Sequence, residues 1–225
     1  MIRVHIICEG QTEETFVKEL LAPHFTPMQI IVQPALIGKP GHKGGAVNED
    51  RMIADCRLRL LGDKTSYCTT FFDFYALPSD FPGKEDAAKK QLIADKATCV
   101  QSKLIQKLTD KLGDKPIHRF IPYVQMYEYE GLLFSDPAKF AQGIDQLALA
   151  PKFQMIRNAF TTPEDINDSP ETAPSKRIMN IIPGYQKPLL GVLAALEIGL
   201  ETIRSECVLF DTWLKQLENL KNKAS

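Results

Sequence analysis

Two carboxylates, Glu9 and Asp73, occupy the same place relative to two apolar, strand-like runs. Glu9 directly follows residues 2–8 and precedes a glycine, while Asp73 ends residues 67–73. Open α/β sheets build their sites at the carboxyl ends of their strands. Acids at two such ends predict a divalent-metal site rather than a loop that cradles a nucleotide.

Three further acids are candidates for the same site. Glu13 comes four residues after Glu9, so the two side chains could share a face where the strand turns into a helix. Glu128 and Glu130 follow the apolar residues 118–126. If that strand continues, both point to the same side, because strand side chains alternate. If a helix begins at Glu130 instead, only one of them can face the site.

The chemistry of such an acidic cluster follows from its charge. Crowded carboxylates resist joint ionisation unless a cation neutralises them. Hard oxygen ligands select Mg²⁺, Mn²⁺ or Ca²⁺ over zinc. Two such ions about 4 Å apart can activate a water and stabilise the leaving oxygen of a phosphodiester. Single acids also have structural explanations: Asp73 could cap the turn after its strand, and Glu128 or Glu130 could be a solvated helix start.

One basic segment that could hold a phosphate is the glycine-rich loop 38–45. Its cations are Lys39, His42 and Lys43, and its backbone amides could contribute to anion binding. It lacks the spacing of a Walker loop. A flexible, solvated loop is the alternative interpretation.

A second basic candidate is the pair Lys176 and Arg177, preceded by Ser175 at a predicted helix start. A bidentate arginine and a helix amino terminus both suit a phosphodiester oxygen. The polar residues just before them, 167–171, could instead simply hold the loop in shape through side-chain to backbone hydrogen bonds.

Alternating strands and helices must position these residues. Strands are predicted over residues 2–8, 29–36, 67–73 and 118–125. Helices are predicted over residues 15–21 (with Thr12 as N-cap and a stop at Pro23), 47–61 and 86–112. This alternation implies βαβ units and a largely parallel sheet between helices, of the Rossmann-like α/β class.

The remainder of the chain is predicted to be helical. Short helices fill residues 137–160, an ordered loop covers 161–175, and helices follow over 175–182, 188–204 and 206–222. We therefore expect an α/β core over residues 1–135 and a helical carboxyl-terminal part over 136–225. The two parts are expected to pack as one structural unit.

Composition narrows the classes of function. The chain has 225 residues and a formal net charge of −1, so no global basic field favours tight, non-specific DNA binding, although a locally basic groove remains compatible. Its 5 cysteines form no CxxC pair and are predicted to be free thiols in a reducing cytoplasm. No apolar stretch long enough for a membrane span and no signal segment is seen, which predicts a cytoplasmic protein.

Several motifs resemble known families. Residues 8–14, Cys-Glu-Gly-Gln-Thr-Glu-Glu, with Phe16 following, resemble the opening of TOPRIM-like proteins, the catalytic fold of topoisomerases, primases and OLD-family nucleases. The rest of the chain resembles one branch of that clan, domain of unknown function 4276. The stretches that carry this resemblance are residues 72–78, 80–83, 128–134 and 166–177.

The resemblance implies a TOPRIM fold in which Glu9 is the hallmark acid, serving in acid–base chemistry or as a metal ligand. TOPRIM enzymes also bind Mg²⁺ through an Asp-x-Asp pair on a later strand. Here Asp73 matches the first aspartate, but Tyr75 occupies the place of the second. Glu13 matches an additional glutamate of the nuclease branch, and Glu128 or Glu130 could supply the missing ligand.

The leading hypothesis is a Mg²⁺- or Mn²⁺-dependent nuclease acting on DNA or RNA. Its metal ligands would be Glu9, Glu13, Asp73 and one of Glu128 or Glu130; its phosphate-steering residues would be Lys176, Arg177 and the loop 39–43. The alternative is a non-catalytic binding or regulatory subunit that works with an ATPase partner, as related proteins are often encoded beside ATPases of defence-like systems. Tyr75 and the lack of net positive charge favour this alternative.

Overall fold

A five-stranded sheet lies at the centre of the computed structural model, which describes residues 1–38, 44–167 and 169–223. The strands are β1 (Ile2–Cys8), β2 (Ile30–Leu36), β3 (Tyr67–Asp73), β4 (Phe120–Ile121) and β5 (Val124–Gln125). Their order is β2-β1-β3-β4, and β5 also pairs with β3. Every pairing is parallel.

Helices connect and follow the strands. In the first part of the chain they are α1 (Gln11–Phe16), α2 (Ala22–Phe25), α3 (Glu49–Gly62), α4 (Lys84–Ala88), α5 (Ile93–Leu112) and α6 (Asp114–Ile117). They continue as α7 (Pro137–Gly143), α8 (Ala150–Asn158), α9 (Pro174–Ile181), α10 (Val192–Ile198), α11 (Leu200–Glu206), α12 (Val208–Glu218) and α13 (Leu220–Lys223). Two π-helical turns, Val17–Leu21 and Lys187–Gly191, precede α2 and α10.

Short 3-10 helices complete the regular structure. They span Thr26–Met28, Phe74–Ala76, Tyr129–Ser135, Leu147–Leu149, Pro163–Asp165 and Pro170–Thr172. Two of them lie within the predicted loop 161–175, which is therefore ordered locally by tight turns.

The sheet separates two hydrophobic cores, because alternate side chains of each strand point to opposite faces. On one face Val4, Ile6 and Phe71 belong to a core that also contains Phe16 and Trp213. The other face carries a second core, built from Ile7, Cys68, Phe72 and the buried residues of α3 and α5. Parallel sheets are normally covered on both faces in this way. The predicted α/β class with a parallel sheet is confirmed.

The carboxyl-terminal helices complete the first of these cores. Trp213 of α12 stacks on Tyr123 with ring centroids 4.2 Å apart and donates a hydrogen bond from Nε1 to the Thr69 hydroxyl at 2.9 Å. Both aromatic rings are buried, so this face of the sheet is sealed only when α12 docks. One core therefore contains residues from both predicted parts, and the boundary near residue 135 stays a prediction.

The first helix differs from its prediction at both ends. Its N-cap is Gly10 rather than Thr12. The helical path does not stop before Pro23 but runs through the π-helical turn into α2. Pro23 is tolerated because it lies in the first turn of α2, where a missing N–H removes no required hydrogen bond.

The predicted strand over 118–125 is reduced to two short pieces, β4 and β5. Pro122 stands between them and cannot donate to the ladder. The Thr70 side chain replaces the missing pairing: its hydroxyl donates to the Tyr123 carbonyl at 2.7 Å and accepts the Tyr123 N–H at 3.1 Å. The acids that follow this strand thereby keep a fixed position next to β3.

Three predicted helices are interrupted. The helix over 86–112 is split into α4 and α5 by residues 89–92, and the helix over 188–204 is broken at Gly199, whose φ is +84°. The last helix is split at Asn219.

All 5 cysteines are free thiols, as predicted, and 4 of them are buried. None of the helices in the described ranges combines the length and apolar character needed to cross a bilayer.

Glu164 links the 161–175 segment to the start of α12. Its two carboxylate oxygens accept the N–H groups of Leu209 at 2.8 Å and Phe210 at 2.9 Å. The first N–H groups of a helix have no partner within the helix. The buried carboxylate therefore supplies the acceptors that allow α12 to begin against the core.

We expect Glu164→Ala to lower the free energy of unfolding by about 2 kcal/mol, because two amides of the first turn lose their acceptor. Urea unfolding followed by circular dichroism measures this change. Glu201→Ala, on the exposed surface of α11, is the matched control and should leave the midpoint unchanged. Equal midpoints for all three proteins would contradict the capping role.

Candidate functional site

The acids predicted from the sequence meet at the carboxyl edge of the sheet. Glu9 follows β1, Asp73 ends β3, and Glu128 and Glu130 follow β5. Glu9 and Asp73 are in direct contact, since the Asp73 N–H donates to Glu9 Oε2 at 3.3 Å. The parallel register of β1, β3 and β5 thus brings residues that are far apart in the sequence to one edge.

Backbone amides hold three further acids through one carboxylate oxygen each. The Tyr129 N–H donates to Asp73 Oδ1 at 2.8 Å and the Gly10 N–H donates to Glu13 Oε2 at 2.9 Å. At the start of α9, the Ser175 N–H donates to Glu128 Oε2 at 2.8 Å. These bonds orient the side chains and leave the carboxylates able to accept a further partner through their other oxygen.

Lys187 supplies positive charge to the cluster. Its Nζ lies 3.1 Å from Glu130 Oε1 and 4.0 Å from Glu128 Oε1. It belongs to the π-helical turn Lys187–Gly191, in the helical second half of the chain. The other Glu130 oxygen, Oε2, and the Tyr185 hydroxyl are buried without a hydrogen-bond partner among the described residues.

The electrostatics of the cluster favour protonated acids. Burial, followed by the neighbouring Glu13, raises the pKa of Glu9 to about 7. Burial, then Glu13 and Glu9, raises the pKa of Asp73 well above its usual value. Burial also raises the pKa of Glu130 to about 7, although Lys187 opposes the shift. If all of these acids were ionised, they would carry more negative charge than the ammonium of Lys187 neutralises.

The pKa values of two other groups in the cluster, Glu13 and Lys187, are also shifted. Burial raises the pKa of Glu13. For Lys187, burial lowers the pKa, but Glu130 and Glu128 outweigh it, so that the net pKa is raised. Lys187 thus stays charged while the acids around it resist ionisation, and the site has the character of an acceptor for a further cation.

As placed in the structure, the described acids do not form a metal-coordination shell. Across the described ranges, no three Asp, Glu, His or Cys side chains are placed so that they could ligate one metal ion as they are. Backbone amides take some of the oxygens and Lys187 takes another. Metal binding would require side-chain rotation within the cluster.

Glu128 and Glu130 both face the site, although a 3-10 helix begins between them at Tyr129. The strand does not continue to Glu130 and the helix begins one residue before it, so neither of the two predicted alternatives describes this segment as it is. Glu128 is in extended conformation, with φ −146° and ψ 155°, and this re-aims its side chain toward Lys187. Glu130 reaches the same ammonium from the first turn of the helix.

Tyr75, which occupies the place of a second aspartate, is engaged with a neighbouring loop. Its hydroxyl donates a hydrogen bond to the side-chain oxygen of Asn167. Burial raises the pKa of this hydroxyl to about 12, so it is a poorer nucleophile than an ordinary tyrosine. Tyr75 therefore connects the rim of the sheet to the segment that precedes α9.

The basic residues that were predicted to bind a phosphate differ in what the structure describes of them. Lys39, His42 and Lys43 lie outside the described residues. Lys176 is exposed at the start of α9. Arg177 donates from Nε to the Thr172 carbonyl at 2.7 Å, with its guanidinium 5.1 Å from the centroid of the Phe160 ring.

Arg177 thus helps to hold the loop before α9, as the side chains of residues 167–171 were expected to do; of these, Asp168 lies outside the described residues. Ser169 contributes through its N–H, which donates to the Thr172 hydroxyl at 2.9 Å. The phosphate-steering role of Lys176 and Arg177 stays a prediction.

Lys187 and Tyr185 were missed by sequence reasoning. Neither belongs to a spacing that indicates metal or phosphate chemistry, and both lie more than 50 residues after the acids they approach. The one local signal is a lysine directly before Pro188 and an apolar helix, a pattern that equally describes a solvated helix start.

Fold and site together define an α/β protein with a buried acidic cluster at the carboxyl edge of a parallel sheet. Residues 8–218 match the family model of a domain of unknown function, DUF4276. The chain belongs to this family, as the motif resemblance predicted. No curated protein and no solved structure matches the chain.

The raised acid pKa values predict that stability falls as pH rises from 5 to 8 in buffer free of divalent cations. In this window the folded protein keeps protons on Glu9 and Glu130 that the unfolded chain has lost. The stabilising contribution is complete below the unfolded pKa and is lost as pH rises through about 7. Each such carboxyl contributes a slope of about 1.4 kcal/mol per pH unit to the free energy of unfolding. Urea unfolding at several pH values measures the slope.

Glu9→Gln should flatten this dependence, because the amide carries no titrating proton. Glu19→Gln, at an exposed position, should keep the wild-type slope. A wild-type stability that does not change with pH, or a Glu9→Gln protein with the full slope, would show that Glu9 is not held protonated by the fold.

Proposed function

We propose that the protein is a Mg²⁺- or Mn²⁺-dependent nuclease with a TOPRIM-like fold, which hydrolyses phosphodiester bonds of DNA or RNA. The observation that carries this proposal is the convergence of Glu9, Asp73, Glu128 and Glu130 from three strand ends on one sheet edge. Crowded carboxylates of this kind are destabilising unless a cation joins them.

The donor set fits a hard divalent ion. All candidate ligands are carboxylate oxygens, the ligand type that Mg²⁺ and Mn²⁺ prefer. Glu130 Oε2 is buried without a hydrogen-bond partner in the described part of the chain, which leaves one acceptor unsatisfied. Asp73, Glu9, Glu128 and Glu130 would hold the ion, with Glu13 as a further ligand. When bound, the ion would supply activation of a water and stabilisation of charge on the phosphate.

Other groups of the chain would orient the carboxylates and bind the phosphate. The backbone N–H groups of Tyr129 and Ser175 keep the carboxylates of Asp73 and Glu128 oriented. Lys187 carries a charge that phosphate oxygens could share with Glu130. The parallel sheet and the acid after β1 support the TOPRIM-like assignment, in which Glu128 and Glu130 would compensate for Tyr75 at the place of a second aspartate.

A second candidate is a non-catalytic binding or regulatory subunit that acts with an ATPase partner, for example in a defence system. It is favoured by Tyr75 and by the lack, within the described ranges, of a ready-made set of three ligands. In this case Lys187 would be the permanent counter-ion of the cluster, and the acids would serve the fold.

Calorimetric titration with Mn²⁺ distinguishes the two candidates. We expect saturable binding to the wild type and at least tenfold weaker binding to Glu9→Gln and Asp73→Asn, because each variant removes a charged ligand. Cleavage of plasmid, linear DNA and RNA should be lost in the same variants. Glu19→Gln is the matched control, since it makes the same chemical change at an exposed position.

The two neutral variants should fold at least as stably as the wild type at pH 8, because each removes one repelling charge. A variant that loses metal binding through unfolding would be recognised by its urea midpoint. Absence of Mn²⁺ binding by a folded wild type would refute the nuclease and favour the regulatory subunit.

A further inference from the structure

Two lysines, Lys84 and Lys96, contact residues that neighbour the acidic cluster in the sequence, and neither pairs with a carboxylate in the described part of the chain. The Lys84 Nζ lies 3.3 Å from the centroid of the Phe74 ring and donates to the Phe74 carbonyl oxygen. The Lys96 Nζ donates to the Tyr127 hydroxyl at 3.1 Å. Within the described ranges neither lysine forms an ion pair. The two ammonium groups therefore contact aromatic rings and neutral oxygens in the described structure.

These lysines are attached to the same loops that carry the acids. Phe74 directly follows Asp73, and Tyr127 directly precedes Glu128. The Tyr75 N–H donates to the Tyr127 carbonyl at 3.1 Å and joins the two loops. The rings of Tyr75 and Tyr127 have their centroids 5.4 Å apart. We call Phe74, Tyr75, Tyr127, Lys84 and Lys96 the aromatic–lysine wall.

The wall contains an unusual backbone conformation. Tyr127 has a φ of +60°, in the left-handed region that is uncommon and strained for an aromatic residue. The hydrogen bond from Tyr75 to its carbonyl helps to hold this conformation. The result is that the hydroxyl of the ring meets Lys96 while the next residue, Glu128, turns to the acids.

The electrostatics of the wall are opposite to those of the acids. Burial and, as the smaller cause, the nearby charge of Lys96 together lower the pKa of Lys84 to about 8. Two like charges close together, one of them partly desolvated, are destabilising unless an anion approaches. Tyr75 and both lysines are partly exposed, so an anion can reach this surface from solvent.

We propose that Lys84 and Lys96 form a phosphate subsite beside the acids, with the partly exposed ring of Tyr75 as a stacking surface for the adjoining base. Lysines interleaved with aromatic rings bind single-stranded nucleic acids by combining phosphate contacts with base stacking. The phosphate itself is recognised by the lysines alone. The identity of the polymer rests on the proposed nuclease function.

The test is binding of a fluorescently labelled 12-nucleotide single-stranded DNA in EDTA, followed by anisotropy. Lys84→Gln and Lys96→Gln should each weaken binding about 5–10-fold and make the slope of log K against log salt shallower by about 0.7, since one phosphate contact is lost. Lys84→Arg and Lys96→Arg keep the charge and should retain most of the affinity.

The control is Lys111→Gln, which makes the same change on the same helix as Lys96, about 22 Å away along the α5 axis. It should bind within twofold of the wild type. Wild-type affinity in both Lys84→Gln and Lys96→Gln, or no binding of the oligonucleotide or of AMP by the wild type, would overturn the subsite.

Competition with AMP and inorganic phosphate identifies the source of the phosphate. If the subsite takes the nucleic-acid backbone, unlabelled oligonucleotide displaces the probe at far lower concentration than AMP. If it takes a free nucleotide, AMP competes equally well, and the same lysine variants weaken its binding. Either result supports the phosphate subsite, because both require Lys84 and Lys96.

Mn²⁺ calorimetry on the wild type and on Lys96→Gln, set beside their DNA affinities, separates this inference from the nuclease proposal. Lysine-dependent DNA binding in a wild type that binds no Mn²⁺ would support the subsite and refute the nuclease. Mn²⁺ binding with DNA affinity that is indifferent to both lysines would leave the metal centre and overturn the subsite.

Discussion

The burial of several carboxylates at one edge of the sheet is the constraint on which the rest of the structure depends. Burial is the largest cause of the raised pKa of each of four carboxyl groups: Glu9, Glu13, Asp73 and Glu130. Such a cluster persists only where protons or a cation neutralise it and where the surrounding fold fixes each group. Lys187 provides part of that neutralisation, and backbone amides provide the positions.

The helical second half of the chain is therefore more than a cover for the sheet. It seals one face through Trp213 of α12, which stacks on Tyr123 and bonds to Thr69. It also delivers Lys187 to the acids and, at the start of α9, the Ser175 amide to Glu128. The core packing that stabilises the fold and the charge balance of the site thus both depend on the helical second half of the chain, through different helices.

Although the formal net charge is only −1, acidic and basic side chains form separate groups near the site. Acids gather at one side of the loops after β3 and β5, while Lys84 and Lys96 lie against aromatic rings on the same two loops. An ion pair between the two groups would have cancelled both. Instead, Lys84 donates to the Phe74 carbonyl and Lys96 to the Tyr127 hydroxyl. A surface that offers carboxylates for a cation beside ammonium groups for an anion suits a ligand with phosphate groups.

The sequence by itself determined the α/β class, the largely parallel sheet and the acids at the strand ends, because strand periodicity and turn residues are local properties of the chain. It could not place Lys187 or the lysines of the aromatic–lysine wall, nor foresee that α1 and α2 run on through Pro23 or that Pro122 divides a strand. It left open whether one or both of Glu128 and Glu130 face the site, and in the structure both lie beside Lys187, with Glu128 in extended conformation. These features depend on how distant segments pack, and the free energy that decides them comes from contacts that no short stretch of sequence contains.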